Sequence, residues 1–286
     1  MSAIFKTQGG SGGFYASIFV KGLSENDTVT ASNGSKTKRG VWAHRPNSEW
    51  RGLPEGYTQI SYIESTGTQY IDTGVSGGTN AAYEITFNPL SANVGYEMFF
   101  AGDIKPSVPK IYRVEAKDVI AFQSSSVSSG EYAVSDSPYT VSYAVTGTVT
   151  FGGETVVDMG CAGNGWGGAT WWVFNAHGEP NLFATMRLYS LKMWADGTLA
   201  RDFVPVRRNS DNVVGLYDLA NDVFYTNAGT GAFIAGAEIS QYIYGHEISK
   251  IGDLGMWTVT ATNGEKTATQ DVLVDVATEY EIEIDL

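Results

Sequence analysis

Along much of the chain, apolar and polar residues alternate with a period of two. Tyr280, Ile282, Ile284 and Leu286 form one side of the last run and Glu281, Glu283 and Asp285 the other, as in a strand with one face buried. The same period marks Tyr83, Ile85 and Phe87; Tyr139, Val141, Tyr143 and Val145; and Tyr189, Leu191 and Met193. Gly77-Gly78, Asn88-Pro89, Gly152-Gly153 and Gly178 to Pro180 interrupt these runs where the chain must turn. No stretch repeats apolar residues at helical spacing, so the predicted fold class is all-β.

The segment TVTASNGSKT at 28–37 returns as TVTATNGEKT at 258–267. In both, Thr and Val alternate into an Asn-Gly pair (Asn33-Gly34 and Asn263-Gly264), which predicts a β-hairpin closed by a type I′ turn. Neither 14–45 nor 244–286 is long enough to bury a sandwich core alone. We therefore assign them to one small immunoglobulin-like sandwich, interrupted near Trp42 and resumed near His246. Residues 46–243, rich in short strand patterns, are expected to form a larger jelly-roll sandwich inserted into it. Residues 1–13, with the run Gly9 to Gly13, read as a flexible arm. Two separate terminal flaps, and a barrel in place of the jelly roll, are the alternatives.

Composition narrows the partners. A net charge of -13, with the 18 Lys and Arg scattered, disfavours nucleic acid. Cys161 is the single cysteine, so no internal disulfide can staple the fold, and its expected place is a small buried apolar site. The start of the chain carries no charged leader with a long apolar run, and 14–20 is too short to span a bilayer. Synthesis in the cytoplasm without a signal peptide, and no membrane insertion, are the expectations. The composition itself is typical of surface-binding modules.

The segments LPEGYTQISYIESTGTQYIDTGV (53–75), MRLYSLKMWADGTLARDFVPVRR and VVGLYDLANDVFYTNAGTGAF (within 186–233) resemble a concanavalin A-like, laminin-G-like domain of phage and prophage structural proteins. The flanks FVKGLSENDTVTASNGSKTKRGVW and ISKIGDLGMWTVTATNGEKTATQDVLVDV look like two halves of an immunoglobulin-like module of phage virion proteins. The resemblance implies a small immunoglobulin-like sandwich interrupted by a larger concanavalin A-like one. It names no ligand, because such sandwiches host lectins, glycanases and structural spacers alike.

Candidate chemistry is sparse. Glu283-Ile284-Asp285 resembles the start of a glycanase E-I-D-x-x-E motif, but the chain ends before its last Glu, and a solvated strand face accounts for it. Gly9 to Gly13 matches G-x-S-x-G without the strand and helix of a nucleophile elbow. His246-Glu247 lacks the second His of a zinc motif, and His44, His177 and His246 lie far apart in sequence. The glycine-rich stretches Gly163 to Gly168 and Gly229 to Gly231 read as turns rather than phosphate loops. No cofactor is expected; a rim calcium near Asp72, Asp103, Asp196 or Asp211 is the alternative, although no D-x-D-x-D-G loop is present.

The candidate glycan site is the aromatic set Trp166, Trp171, Trp172 and His177, with Asn164 and Asn175 supplying amides for hydroxyls. Consecutive tryptophans in TWWVFNA face opposite sides of a strand, so one of them belongs to a core. Trp42 and Trp257 are expected to be buried at the domain junction. Ile4 and Phe5, at the tip of the arm, are the candidate contacts for particle attachment. The resulting expectation is a non-enzymatic virion surface protein of a bacteriophage, a capsid decoration, head fibre or tail-fibre component. Its partners would be phage capsid or tail proteins, host-cell or mucosal glycans, and copies of itself as a homo-oligomer. A glycan hydrolase and a bacterial cell-surface adhesin are the rival readings.

Overall fold

A computed structural model describes residues 15–76, 81–90, 97–101, 110–113, 119–124, 127–128, 130–133, 137–146, 148–157, 170–179, 181–275, 277 and 279–286. They form strands joined by turns, without a helix, so the protein is all-β. The chain divides into two compact units: a small one up to Trp50 and again from Ser240, and a large one from Arg51 to Ile239. Asn47 N–H donates to the Gln241 carbonyl at 2.9 Å, which keeps residues 46–50 and 240–243 with the small unit. The crossings thus lie at 50/51 and 239/240 rather than at 45/46 and 243/244.

In chain order the strands of the first small-unit segment are β1 (Ala16–Lys21), β2 (Thr28–Ser32), β3 (Thr37–Arg39) and β4 (Val41–Pro46). The large unit contributes β5 (Tyr57–Gln59), β6 (Ile63–Glu64), β7 (Ile71–Ser76), β8 (Ala82–Pro89), β9 (Glu97–Ala101), β10 (Lys110–Arg113), β11 (Val119–Ser124), β12 (Val127–Ser128), β13 (Tyr132–Ala133), β14 (Tyr139–Tyr143), β15 (Val149–Phe151), β16 (Glu154–Val157), β17 (Thr170–Val173), β18 (Met186–Ala195), β19 (Thr198–Arg208), β20 (Val214–Asp218), β21 (Val223–Thr226) and β22 (Ile234–Ala235). The second small-unit segment adds β23 (Tyr242–Ile251), β24 (Gly255–Thr262), β25 (Thr267–Val274) and β26 (Glu279–Glu283).

The small unit stacks two four-stranded sheets, ordered β26-β1-β23-β4 and β25-β24-β2-β3. Ile18, Val20, Val29, Ala31, Ile248, Trp257, Val259 and Ala261 alternate inward from both and share one buried core. The repeated segments lie side by side: β2 pairs antiparallel with β24, and Thr30 falls opposite Thr260, its own equivalent in the repeat. In the other sheet Ile18 of β1 falls opposite Ile248 of β23, again equivalents in the same alignment. Each sheet is therefore centred on a pair of equivalent strands, and the small unit has a pseudo-two-fold arrangement. The outer strands of the first sheet break it, since β26 runs parallel to β1 while β4 runs antiparallel to β23.

The Asn-Gly turns are not type I′. Gly34 and Gly264 have φ of 87° and 91°, whereas neither the asparagines nor Ser35 and Glu265 enter positive φ. A type I′ turn needs positive φ at both central residues. Instead Gly34-Ser35 and Gly264-Glu265 form the tips, and Asn33 Oδ1 accepts from the N–H groups of Ser35 (3.1 Å) and Lys36 (2.9 Å). Asn263 Oδ1 repeats this with Glu265 and Lys266. The asparagines act as side-chain turn mimics rather than as left-handed residues.

In the large unit a seven-stranded sheet (β12-β11-β10-β9-β17-β7, with β13 on β11) and an eleven-stranded sheet (β16-β15-β14-β8-β18-β19-β20-β21, with β5, β6 and β22 beside it) share one core. Phe100, Trp171 and Val173 meet Ile85, Phe87, Leu191 and Phe203 there. A bulge between Leu188 and Ser190 shifts the register of β18, so Leu191 and Met193 face the core while Tyr189 is only half-buried and turns to Tyr62.

Because the small-unit core needs both segments and nothing between them, replacing 51–239 by a short Gly-Ser linker should leave a domain with a single cooperative urea transition. A product that binds hydrophobic dyes and melts without cooperativity would contradict this.

Candidate functional site

The residues named from sequence do not form an open aromatic platform. Trp171 faces inward from β17 and is wholly buried among Phe100, Tyr83 and their neighbours, so its face cannot meet a sugar. Asn175 is also fully buried: Nδ2 donates to the Glu179 carbonyl (2.8 Å) and Oδ1 accepts from Ala176 N–H (2.8 Å), which fixes the turn after β17. Both assignments are corrected on these grounds. His177 is exposed but leans on Trp172, with ring centroids 4.9 Å apart. Trp172 in turn stacks on Tyr70 at 4.2 Å and 24°, and Tyr70 meets Phe183 at 6.2 Å. These rings form a column against the outer face of the seven-stranded sheet, packed on one another. Trp166, Asn164, Ile4, Phe5 and Cys161 lie outside the described residues.

The small unit shows a similar economy. Trp257 sits in its core, not at a junction, with Nε1 donating to the Asp253 carbonyl at 3.0 Å. Trp42 is half-buried, stacked on Tyr244 and edge-on to His246. Among the described residues no group of three His, Cys, Asp or Glu could hold a metal ion. Both Asp72 oxygens accept hydrogen bonds, from Gly74 N–H and the Thr170 hydroxyl.

A cleft of about 560 Å³ opens instead between the turn after β19, the paired strands β20 and β21, and the loop that follows β21. Its apolar lining is Val213, Val214, Ala232 and Phe233; its polar lining includes Arg208, Asp211, Asn212, Thr226 and Asn227. On one side Arg208 grips Asp211 with two hydrogen bonds, Nε to Oδ1 at 3.0 Å and Nη2 to Oδ2 at 2.6 Å. Its guanidinium also lies over the Phe224 ring, 4.9 Å from the centroid. Asn212 N–H donates to the Arg208 carbonyl and Arg208 N–H to the Val213 carbonyl, closing a turn in which Asn212 has φ of 60°. The Arg208 hydrogen bond, then the Val213 N–H, holds the Asp211 carboxyl below its ordinary range.

The opposite wall is pinned as firmly. Asn227 Oδ1 accepts from the N–H groups of Tyr70 (3.1 Å) and Gly229 (2.8 Å), while Nδ2 donates to the carbonyls of Thr230 and Gly231. Thr230 N–H and the Thr68 hydroxyl then exchange hydrogen bonds with the facing carbonyls. Gly229 is obligatory, since a Cβ there would sit 2.2 Å from the Thr68 carbonyl oxygen. The Asn212 amide and the Thr226 hydroxyl, both exposed, have no internal partner among the described residues. The cleft therefore offers a rigid frame, an ionised carboxylate, a free amide and a free hydroxyl over an apolar floor.

The buried carboxylates of the large unit are engaged elsewhere. Glu97 pairs with Arg113 at 2.6 Å and accepts from Thr185. Asp202 pairs with Arg51 at 2.7 Å. Asp218 accepts from the N–H groups of Asp202 and Ala220 and from Asn221, with Arg201 at 3.5 Å. Glu283 of the terminal E-I-D sequence is largely exposed and faces Lys21.

No protein-family model matches the chain, and no curated protein matches it. Among solved structures it is similar to one from Bacteroides ovatus named a "putative carbohydrate binding protein". The likeness has a TM-score of 0.45 at 13% identity and spans 64% of this chain and 62% of that one. At that distance it assigns no function.

Proposed function

We propose that the protein is a non-enzymatic surface module of a bacteriophage particle whose large unit holds a hydroxyl-rich, uncharged glycan in the cleft framed by Arg208, Asp211, Asn212 and Thr226. The observation that carries the binding half of this reading is the pinned cleft itself. A carboxylate and an amide can bracket adjacent hydroxyls, and an apolar floor suits the C–H face of a sugar ring. Arg208, the one cation among the described lining residues, is already neutralised by Asp211, and a net charge of -13 repels acidic sugars at long range. The non-catalytic half is supported by Glu97, Asp202 and Asp218, each of which is paired with an arginine. The virion half is supported by the sequence resemblance.

Glycan-array screening followed by calorimetry should find a neutral ligand, and Asn212→Gly, which removes the amide but keeps the positive φ of that turn, or Thr226→Val should each weaken it by about 0.5–1.5 kcal/mol, roughly two- to tenfold. Both side chains are exposed, so the melting temperature should stay unchanged. Affinity should persist as pH falls through the ordinary carboxylate range and be lost only below it, because the depressed Asp211 keeps its charge until then. Binding indifferent to both substitutions would remove the cleft from the account, and sugar release abolished by a carboxylate substitution within 51–239 would favour the hydrolase.

For attachment, deleting residues 2–12 with Ile4 and Phe5 should leave melting and glycan binding intact while abolishing incorporation into particles in a reconstitution assay. Undiminished occupancy would show that the arm is dispensable.

A further inference from the structure

The register of the small unit fixes where tension would enter and leave it. The described chain comes in at Ala16, the start of β1. Pro46 ends β4 four residues before the crossing to the large unit, Tyr242 opens β23 just after the return, and the two are paired. Both connections to the large unit are therefore at the same end of this sheet. Antiparallel pairing of β1 with β23 runs from Ala16 opposite Ile251 to Lys21 opposite Gly245, so Tyr242 lies beyond the Lys21 end. The incoming segment and the two connections thus sit at opposite ends of one sheet.

We propose that the small unit is a tension-bearing connector in which β1 is loaded in shear between β23 and β26 whenever the amino-terminal side is anchored and the large unit is pulled away. β1 is held on both flanks, by five register positions with β23 and five with the parallel strand β26. Pulling along the strands loads these positions together, and they must fail together. Pulling across the strands opens them one at a time from the end.

The side chains along β1 fit that duty. Ile18 and Val20 are wholly buried in the core on one face. On the other, Phe19 is also wholly buried, with the Arg45 guanidinium 4.6 Å from its ring centroid. At the far end Lys21 reaches Glu281 at 3.3 Å and Glu283 at 3.7 Å, and its carbonyl accepts from Ile284 N–H. Opposite it, Gly245 lets the backbones close, since a Cβ there would lie 2.2 Å from the Val20 carbonyl oxygen.

Single-molecule pulling of the full chain tests this by extracting the same strand in two directions. In a Cys161→Ser background, one handle is fused ahead of Met1 and the second attached at Gln241→Cys, beyond the Lys21 end, or at Leu254→Cys, beside the Ala16 end. Both positions are exposed, and a Ser48→Cys handle, also at the far end, replaces Gln241→Cys if that variant melts early. At equal loading rates the Gln241 geometry should rupture at a force at least about twofold higher than the Leu254 geometry. Equal forces, or a lower force at Gln241, would overturn the proposal. No glycan is present, so the outcome is separate from that of the cleft.

Discussion

The small unit depends on one constraint: its two central strand pairings join residues from opposite ends of the chain. β1 needs β23 and β2 needs β24, and residues of both segments share one buried core. Neither segment can bury Trp257, Val29 or Ile18 unaided, so the core forms only when the chain has returned from the large unit. Closing so long a loop costs little more entropy than closing a moderate one, because the cost grows only with the logarithm of length. The repeat explains why the pairings are compatible: equivalent strands meet at equivalent residues, Thr30 with Thr260 and Ile18 with Ile248.

The strands were legible where local pattern and tertiary role coincide. Alternation in the terminal run marks Ile282 and Ile284 as buried, with Glu281 and Glu283 beside Lys21 on the other face. Local reading failed where one residue can serve two geometries. The Asn-Gly pair predicts left-handed backbone at Asn33 and Asn263, yet their side chains satisfy the turn and leave positive φ to glycine alone. Tyr189 keeps the period of Leu191 and Met193 in sequence, but a bulge takes it out of phase.

The cleft was illegible for a different reason. Arg208, Asp211 and Asn212 belong to one turn, and Thr226, Asn227 and Gly229 to another connection; only the pairing of β20 with β21 brings them together. In sequence Asp211 stands out only as a rim carboxylate, and Gly229 to Gly231 read as a turn, which they form. The aromatic cluster is the conspicuous feature of the sequence, yet Trp171 lies in the core and Trp172 stacks on Tyr70. What separates a site from a packing element here is whether its groups are spent. The ring faces are covered by one another, although Trp172 Nε1 is buried without a hydrogen-bond partner, whereas the Asn212 amide and the Thr226 hydroxyl stand exposed and unspent among the described residues.

The claim on which the rest stands is that the two separated segments open and close as one cooperative unit. Native-state hydrogen exchange of the full chain reads this directly, amide by amide. The account predicts one shared opening free energy for the paired amides of β1 and β2 and for those of β23 and β24. An opening that exposes the amides of β1 and β2 while those of β23 and β24 stay protected would contradict it.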